Sequence, residues 1–427
     1  MRMKRIPRLL ASLAGLVVTA MASLSLASEP AAWPLWTDAS TIAPAQWSFS
    51  IFQPAHEARS PPARAPRSEP PSLYWTETAI GLIRKYQQNP LRAARALALL
   101  HAGMHDAYVL ARREGMDEPA AEAAVERTAG LMLQFLYPSE TTGRHEAVSL
   151  TRIGLQVDES EPAFSSALAA GERAARATMG RAMADGAART WPIRDRPPPA
   201  PGRWRPTPPL NTYNPMEPLA GEWRTFALRD GQELEPPPPV AFGSEAYWAE
   251  VSEVKHVNAG LTDQQKASAD RWNLEQGSVT PVGVWNLEAL RLARERRLDS
   301  PTTIALFTAL NVAIYDSMVA CWHAKYKWWT QRPITAIRDR MDPDFLPYLI
   351  TPSFPSYVSG HASVSGAAAT VLSAFFPGER EALWAEAVEA AESRLYGGIH
   401  FRHDDDQGLA LGRRIGEKVA ARLNSNP

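Results

Sequence analysis

Three short segments near the C-terminal end of the chain concentrate side chains that could bind an oxyanion. They span residues 325–333, 354–361 and 393–404. Their cationic members include Lys325, Arg332 and Arg394. Arginine offers a planar fork that matches two oxygens, and lysine adds a compact positive charge. These donors predict a site for a tetrahedral or trigonal anion.

The middle segment predicts a helix start that faces the anion. Ser359 and Gly360 precede the Ala-rich run 362–376, and Pro377-Gly378 should stop the helix there. A helix N-terminus presents free backbone N–H groups and the positive end of a dipole. The serine hydroxyl adds a donor, and glycine lets the backbone approach the ligand closely.

The last segment places a histidine and a carboxylate where they could act together. Gly397-Gly398 lies between Arg394 and His400, so the chain can turn and aim both side chains at one point. Asp404 follows His400 by four residues. If a helix begins there, Asp404 can orient the imidazole and stabilise its charge.

Each of these residues taken singly has an ordinary structural explanation. A lone Lys325 or Arg332 is most often a solvated surface charge, and Ser359 alone is most often a helix N-cap. A lone His400 is more often a structural hydrogen-bonding residue than a nucleophile. Three segments in this order and register favour a shared site over separate structural roles.

The combined pattern resembles the superfamily that joins vanadium haloperoxidases, bacterial non-specific acid phosphatases and type 2 phosphatidic acid phosphatases. The pattern is Lys-x6-Arg-Pro, then Ser-Gly-His, then Ser-Arg-x5-His-x3-Asp. The matching residues are Lys325, Arg332, Ser359, Gly360, His361, Arg394, His400 and Asp404. The chain departs from the usual pattern at Val358, where relatives have proline, and at His403, where relatives usually have an aromatic residue.

The resemblance implies a role for each matching residue. The oxyanion would be held by Lys325, Arg332, Ser359, Gly360 and Arg394. His361 would be the general acid–base. His400, oriented by Asp404, would be either the ligand to vanadium or the nucleophile that takes a phosphoryl group.

Two chemistries remain open because vanadate mimics phosphate. A vanadate-dependent haloperoxidase would use vanadate as cofactor, with hydrogen peroxide and a halide as substrates. An acid phosphatase would form a phosphohistidine on a phosphate ester and need no cofactor. Trp322 and Phe354 resemble the aromatic residues that flank the halide site of fungal chloroperoxidase, which favours the first, although ordinary core packing would also explain them. A non-catalytic oxyanion-binding protein is a further alternative.

The elements that must position these segments are predicted to be helical, which gives an all-α fold. We expect an N-terminal helical bundle over 73–190, a Pro-rich connector over 191–243 and a catalytic helical bundle over 244–427. Residues 99–107 weakly resemble residues 309–317, which suggests two related bundles packed together, with chance similarity as the alternative. The resemblance also implies an all-α, vanadium-chloroperoxidase-like fold.

The N-terminus has the pattern of an export signal. Basic residues precede the apolar stretch Leu9 to Leu26, and a small-x-small pattern ends at Ala27. We expect a signal peptide over 1–27, an irregular extension over 28–72 and a periplasmic or secreted protein. An uncleaved anchor helix is the alternative. No integral membrane span is expected after cleavage, which disfavours the membrane lipid phosphatases of the superfamily.

Composition excludes several other functions. The formal net charge of −1 predicts no nucleic-acid partner, so the expected partner is a small-molecule substrate, and the oligomeric state is left open. Cys321 is the only cysteine, which excludes an internal disulfide and a Cys-rich zinc site. His101 and His105 have the i, i+4 spacing of a metal pair, but helix packing or pocket lining is the favoured interpretation.

Overall fold

The computed structural model describes residues 30, 34–37, 69–140, 144–154 and 161–424. Within these ranges the chain forms thirteen α-helices and no strand, apart from an isolated bridge between Arg203 and Thr330. The prediction of an all-α fold is therefore confirmed. The predicted signal peptide and most of the predicted extension over 28–72 lie outside the described residues.

The helices are numbered in chain order. They are α1 (Pro71–Lys85), α2 (Pro90–Arg113), α3 (Glu118–Leu136), α4 (Arg144–Gly154), α5 (Pro162–Met183), α6 (Glu245–Ala259), α7 (Asp263–Arg271), α8 (Thr280–Glu295), α9 (Ser300–Trp328), α10 (Pro333–Arg340), α11 (Gly360–Phe375), α12 (Arg380–Tyr396) and α13 (Arg402–Asn424). Several begin at a residue whose side chain caps the first turn, namely Asn89, Asp117, Ser244, Thr262, Asp299 and Ser359.

The helices form two related bundles that share one core. In the first, α2, α3 and α5 pack on one another, and in the second α9, α11 and α13 do the same, while α2 lies against α9. Each bundle has a buried aspartate that accepts hydrogen bonds from the backbone N–H groups of a distant segment. Asp106 on α2 accepts from Trp36 and Thr37, and Asp316 on α9 accepts from residues 226–228. The weak internal similarity therefore coincides with a structural correspondence.

Helix α9 is the central element of the fold. Of the described helices, it alone is long and apolar enough to cross a membrane, and its apolar stretch is buried entirely inside the protein. Asp299 caps its N-terminus by accepting a hydrogen bond from the backbone N–H of Thr302 at 3.0 Å. Its last turn carries Lys325 towards the segments that follow.

Glycines bring α13 unusually close to α11. A Cβ added at Gly412 would lie 2.1 Å from the backbone oxygen of Ser363, and one added at Gly408 would lie 2.7 Å from the oxygen of Ser359. No other residue fits at such separations. The close approach places the start of α13, which carries Asp404 and directly follows His400, against the start of α11.

The segment 191–243 contains no α-helix and lies against the loops that carry the predicted site. The backbone N–H of Trp204 donates to the oxygen of Trp329, and that of Met216 donates to the oxygen of Ser353. Prolines in this segment remove donors and prevent helix formation.

Candidate active site

Lys325 is fully buried and points at the loop that precedes α11. Its Nζ donates to the backbone oxygens of Pro355 at 2.9 Å and Ser356 at 2.7 Å. The ammonium also lies 5.1 Å from the ring centroid of Phe354. Burial lowers the pKa of Lys325 to about 7. Two of its three possible donors are used by the loop, which leaves one for a ligand.

Arg332 stands directly before α10 and is completely buried. Its Nε donates to the oxygen of Phe354 at 2.8 Å, and one terminal nitrogen donates to the oxygen of Ile399 at 2.7 Å. The same nitrogen lies 3.0 Å from Nε2 of His400. The second terminal nitrogen is buried and has no hydrogen-bond partner in the described part of the chain. A buried guanidinium N–H without an acceptor is costly, so this arrangement fits a bound anion.

A carboxylate holds His400 in one orientation. The sequence predicted this contact on the condition that a helix begins just after His400. Nδ1 lies 2.9 Å from Oδ2 of Asp404, which is in the first turn of α13. Ser356 Oγ donates to the same carboxylate oxygen at 2.5 Å. A carboxylate at Nδ1 fixes the proton there and leaves the lone pair of Nε2 facing Arg332.

The electrostatics favour a neutral imidazole and an ionised carboxylate. Burial, together with the charge of Arg332, lowers the pKa of His400 well below its usual value. For Asp404, burial opposes ionisation, but the charge of His403 and the hydrogen bond with His400 outweigh it and lower the pKa. His400 is therefore available as a neutral nitrogen ligand or nucleophile.

Ser359 and Gly360 form the start of α11, as expected. Ser359 is the N-cap residue and accepts from the backbone N–H of Ala362 at 3.5 Å. Its own N–H donates to the backbone oxygen of Asp404 at 2.9 Å. A Cβ added at Gly360 would lie 3.4 Å from the ring of Trp322.

The remaining predicted residues line one cavity of about 340 Å³, whose wall includes His361, Arg394, Trp322 and Phe354. The two aromatic ring centroids are 5.0 Å apart. Nε2 of His361 lies 2.9 Å from the backbone oxygen of Trp272, so this nitrogen carries the proton and Nδ1 keeps its lone pair.

Burial and the charge of Arg394 lower the pKa of His361 well below its usual value. Arg394 donates to Ser393 Oγ at 3.0 Å and to the oxygen of Ala269 at 3.3 Å. Burial lowers the pKa of Arg394 to about 10, so the guanidinium stays charged near neutral pH. A neutral base and a fixed cation therefore face the same cavity.

The structure brings the predicted residues together in two groups. Lys325, Arg332, His400 and Asp404 surround the loop 354–356. His361 and Arg394 face the cavity, together with the two predicted halide-pocket residues, Trp322 and Phe354. The role of each residue stays a prediction.

Two residues of the site were missed by sequence reasoning. Ser356 holds the Asp404 carboxylate, although nothing in its spacing marked it. Asp405 is buried near Ser359 and Arg394, and burial raises its pKa well above the usual value. The run of three aspartates from 404 to 406 was the available signal for Asp405.

The other candidate residues lie in the core. Nε2 of His101 lies 3.2 Å from Thr76 Oγ1, and Nδ1 of His105 lies 3.1 Å from Asp106 Oδ1. The described residues contain no group of three or more His, Cys, Asp or Glu that could hold a metal ion. Cys321 is buried, and its Sγ donates to the oxygen of Val358 at 3.4 Å.

Comparison with known proteins places the site in a family. Residues 301–417 match the model of the PAP2 superfamily, and this range contains all three segments. Residues 301–417 are a PAP2 superfamily domain. The recognition of this superfamily is therefore confirmed, and with it the prediction of an enzyme. No curated protein matches the chain.

Solved structures with this fold include bacterial vanadium-dependent haloperoxidases. A bacterial vanadium-dependent iodoperoxidase is 25% identical over 84% of this chain and 98% of its own, with a TM-score of 0.71. The holo form of a bacterial vanadium-dependent chloroperoxidase is 17% identical over 86% of this chain and 96% of its own, with a TM-score of 0.61. The PAP2 domain thus lies within a chain of the vanadium-haloperoxidase-like fold. The prediction of this fold is therefore confirmed.

Proposed function

We propose that the chain is a vanadate-dependent haloperoxidase-like enzyme that oxidises a halide with hydrogen peroxide. The observation that carries the proposal is the arrangement at Arg332. One terminal nitrogen of its guanidinium touches His400 Nε2, and the other is buried without a partner in the described residues. An anion bound at Nε2 would meet that free donor.

The residues present fit vanadate. His400 would hold it through Nε2, the nitrogen that Asp404 leaves without a proton. The donors around its oxygens would be Lys325, Arg332, Arg394, the Ser359 hydroxyl and the Gly360 N–H. Bound vanadate would supply a Lewis acid that activates hydrogen peroxide towards halide without changing its oxidation state.

His361 is placed to move protons in such a reaction. Its neutral imidazole keeps a lone pair on Nδ1 because Nε2 donates to the oxygen of Trp272. A buried neutral imidazole beside the cation Arg394 can accept a proton from a bound substrate and return it. Trp322 and Phe354 provide an apolar part of the wall of the same cavity.

Similarity to the iodoperoxidase supports the peroxidase branch. That relative covers most of this chain and is vanadium-dependent. The aromatic pair also supports this branch, because a weakly hydrated halide suits an apolar wall.

An acid phosphatase is the second candidate, and the state of His400 favours it. A neutral imidazole oriented by Asp404 is a nucleophile for a phosphoryl group. His361 would first take up a proton on Nδ1 and would then pass it to the leaving group. Lys325 and the two arginines would neutralise charge on the group being transferred. A non-catalytic oxyanion-binding protein is a third alternative, but the presence of two imidazoles at the proposed anion site argues against it.

A paired assay distinguishes these functions. Oxidation of iodide, bromide and chloride is measured with hydrogen peroxide and orthovanadate, and hydrolysis of p-nitrophenyl phosphate is measured without vanadate. We expect halide oxidation that depends on vanadate. Hydrolysis alone would overturn the haloperoxidase proposal, and neither activity would favour the binding protein.

A pair of histidine variants assigns the activity to this site. His400→Ala removes the proposed ligand or nucleophile and should abolish turnover. His256→Ala is the matched control, because His256 is exposed on α6. Equal turnover by the two variants would place the chemistry elsewhere.

We further propose that the enzyme is exported, from the signal pattern in residues 1–27. Expression of the full chain followed by cell fractionation tests this. A shortened protein in the periplasm or medium is expected, and a full-length protein retained in the cytoplasm would contradict it.

A further inference from the structure

A histidine on α13 lies between two carboxylates, on the side of Asp404 away from His400. Nδ1 of His403 hydrogen-bonds the Glu250 carboxylate of α6, and its Nε2 lies 3.4 Å from Oδ1 of Asp404. The other oxygen of Asp404, Oδ2, is taken by His400 and Ser356. The two oxygens of Asp404 are thus divided between two imidazoles.

Only the protonated form of His403 satisfies both of its neighbours. A neutral imidazole has one N–H, so one carboxylate would face a nitrogen lone pair. An imidazolium donates its Nδ1–H to Glu250 and, through Nε2, forms an ion pair with Oδ1 of Asp404. Burial works against the charge, but the charge of Asp404 and the hydrogen bond with Glu250 outweigh it and raise the pKa of His403.

The surroundings of His403 add negative charge and aromatic contacts. Asp406 on the same helix contributes negative charge. The ring stacks on Phe401 with centroids 5.8 Å apart, and Tyr357 lies 5.5 Å away. Burial raises the pKa of Tyr357, which is therefore neutral. Tyr247 and Arg203 share with His403 a cavity of about 370 Å³ beside the site.

We propose that His403, held as an imidazolium between Glu250 and Asp404, is a positioning residue for His400. It fixes the Asp404 carboxylate so that Oδ2 faces His400 Nδ1 and the lone pair of Nε2 faces Arg332. The inference rests on the proposed function in one respect, namely that the anion binds at His400. Loss of the proton from His403 at high pH removes the positive charge beside Oδ1, holds the carboxylate less firmly and weakens the anion site.

Two glutamates on α6 provide a matched test. Glu250→Gln removes the charge beside His403 and keeps a side chain that can hydrogen-bond. Glu253→Gln is the control, because Glu253 on the same helix pairs with the neighbouring Arg402. Both glutamates are partly exposed, so both variants should fold.

The first measurement is an NMR titration of the imidazoles in the vanadate-free protein with labelled histidine. The His403 signal is assigned by its loss in His403→Gln. We expect the pKa of His403 to fall by roughly one unit or more in Glu250→Gln, as removal of a close opposite charge predicts. Glu253→Gln should leave it unchanged, and an unchanged pKa in Glu250→Gln would overturn the proposal.

The second measurement is the dissociation constant of orthovanadate against pH. In Glu250→Gln, the alkaline loss of affinity should begin about one pH unit lower than in the parent protein. Glu253→Gln should follow the parent protein. The comparison between variants removes effects of other titrating groups and of vanadate itself.

These binding profiles distinguish failure of the inference from failure of the proposed function. Identical profiles for Glu250→Gln and Glu253→Gln would refute the role of His403, whatever the turnover. A parent protein that oxidises no halide but shows the expected shift would overturn the haloperoxidase proposal and support the positioning role.

Discussion

Replacing Arg332 by lysine tests whether the guanidinium fork, and not only its charge, forms the anion site. The arginine makes three contacts, to the oxygens of Phe354 and Ile399 and to His400 Nε2, and it keeps one further buried nitrogen free in the described structure. Lysine has a single nitrogen, which cannot occupy the positions of all three guanidinium nitrogens.

The contacts set the expected size of the effect. A hydrogen bond to a charged group contributes about 1.5–3 kcal/mol, so loss of one contact to the anion should weaken vanadate binding roughly 10- to 150-fold. A buried carbonyl left without its donor should also lower the free energy of unfolding by about 1–3 kcal/mol.

Equilibrium dialysis against orthovanadate and against inorganic phosphate measures the first effect, and chemical unfolding measures the second. Arg338→Lys is the control, because Arg338 lies on α10, which Arg332 precedes, and its one hydrogen bond among the described residues is a long contact of 3.5 Å to the oxygen of Phe345. Vanadate affinity of Arg332→Lys within about twofold of the parent protein, far below the loss expected for one charged hydrogen bond, would refute the reasoning.

Three further predictions follow from the packing and charges of the site. Gly412→Ala forces a Cβ against the oxygen of Ser363 and should lower the free energy of unfolding by about 1–3 kcal/mol, measured by denaturant titration. Vanadate affinity should fall as pH rises above about 7, by up to about tenfold per unit, because burial lowers the pKa of Lys325 to about 7 and the side chain loses its charge above that pH. Ser356→Ala removes a donor to Asp404 and should weaken vanadate binding about 3- to 10-fold in dialysis, the effect of one hydrogen bond.

Each of these predictions has a control and a contrary result. Gly180→Ala should be tolerated, since nothing lies within 4 Å of its added Cβ, and equal stability of the two alanine variants would contradict the packing argument. Lys325→Met should flatten the pH dependence of vanadate affinity. An unchanged slope in this variant would mean that another group causes the pH dependence. Ser252→Ala, at an exposed position of α6, should bind vanadate normally, and Ser356→Ala binding equally well would remove Ser356 from the site.

Local rules were enough to predict several parts of the site. The serine N-cap before an Ala-rich run placed the start of α11 at Gly360, and Pro377 ended the helix as expected. The i, i+4 spacing of His400 and Asp404 predicted their contact because a helix begins at Arg402. These inferences depend on residues close in sequence, where propensity and geometry determine the outcome.

Contacts between distant segments could not be predicted in this way. Glu250 reaches His403 across 153 residues, and Ser356 reaches Asp404 across 48. Such pairs depend on how α6 and the loop before α11 pack against α13, which no local pattern encodes. Sequence reasoning noted His403 as a departure from the usual pattern, but only the fold reveals its two carboxylate partners.

The most direct test is a crystal structure of the protein soaked with orthovanadate. Density for the anion bonded to His400 Nε2, with the free nitrogen of Arg332 and the ammonium of Lys325 against its oxygens, is the predicted result. Density elsewhere, or none beside His400 at saturating vanadate, would contradict the convergence of the three segments on one oxyanion.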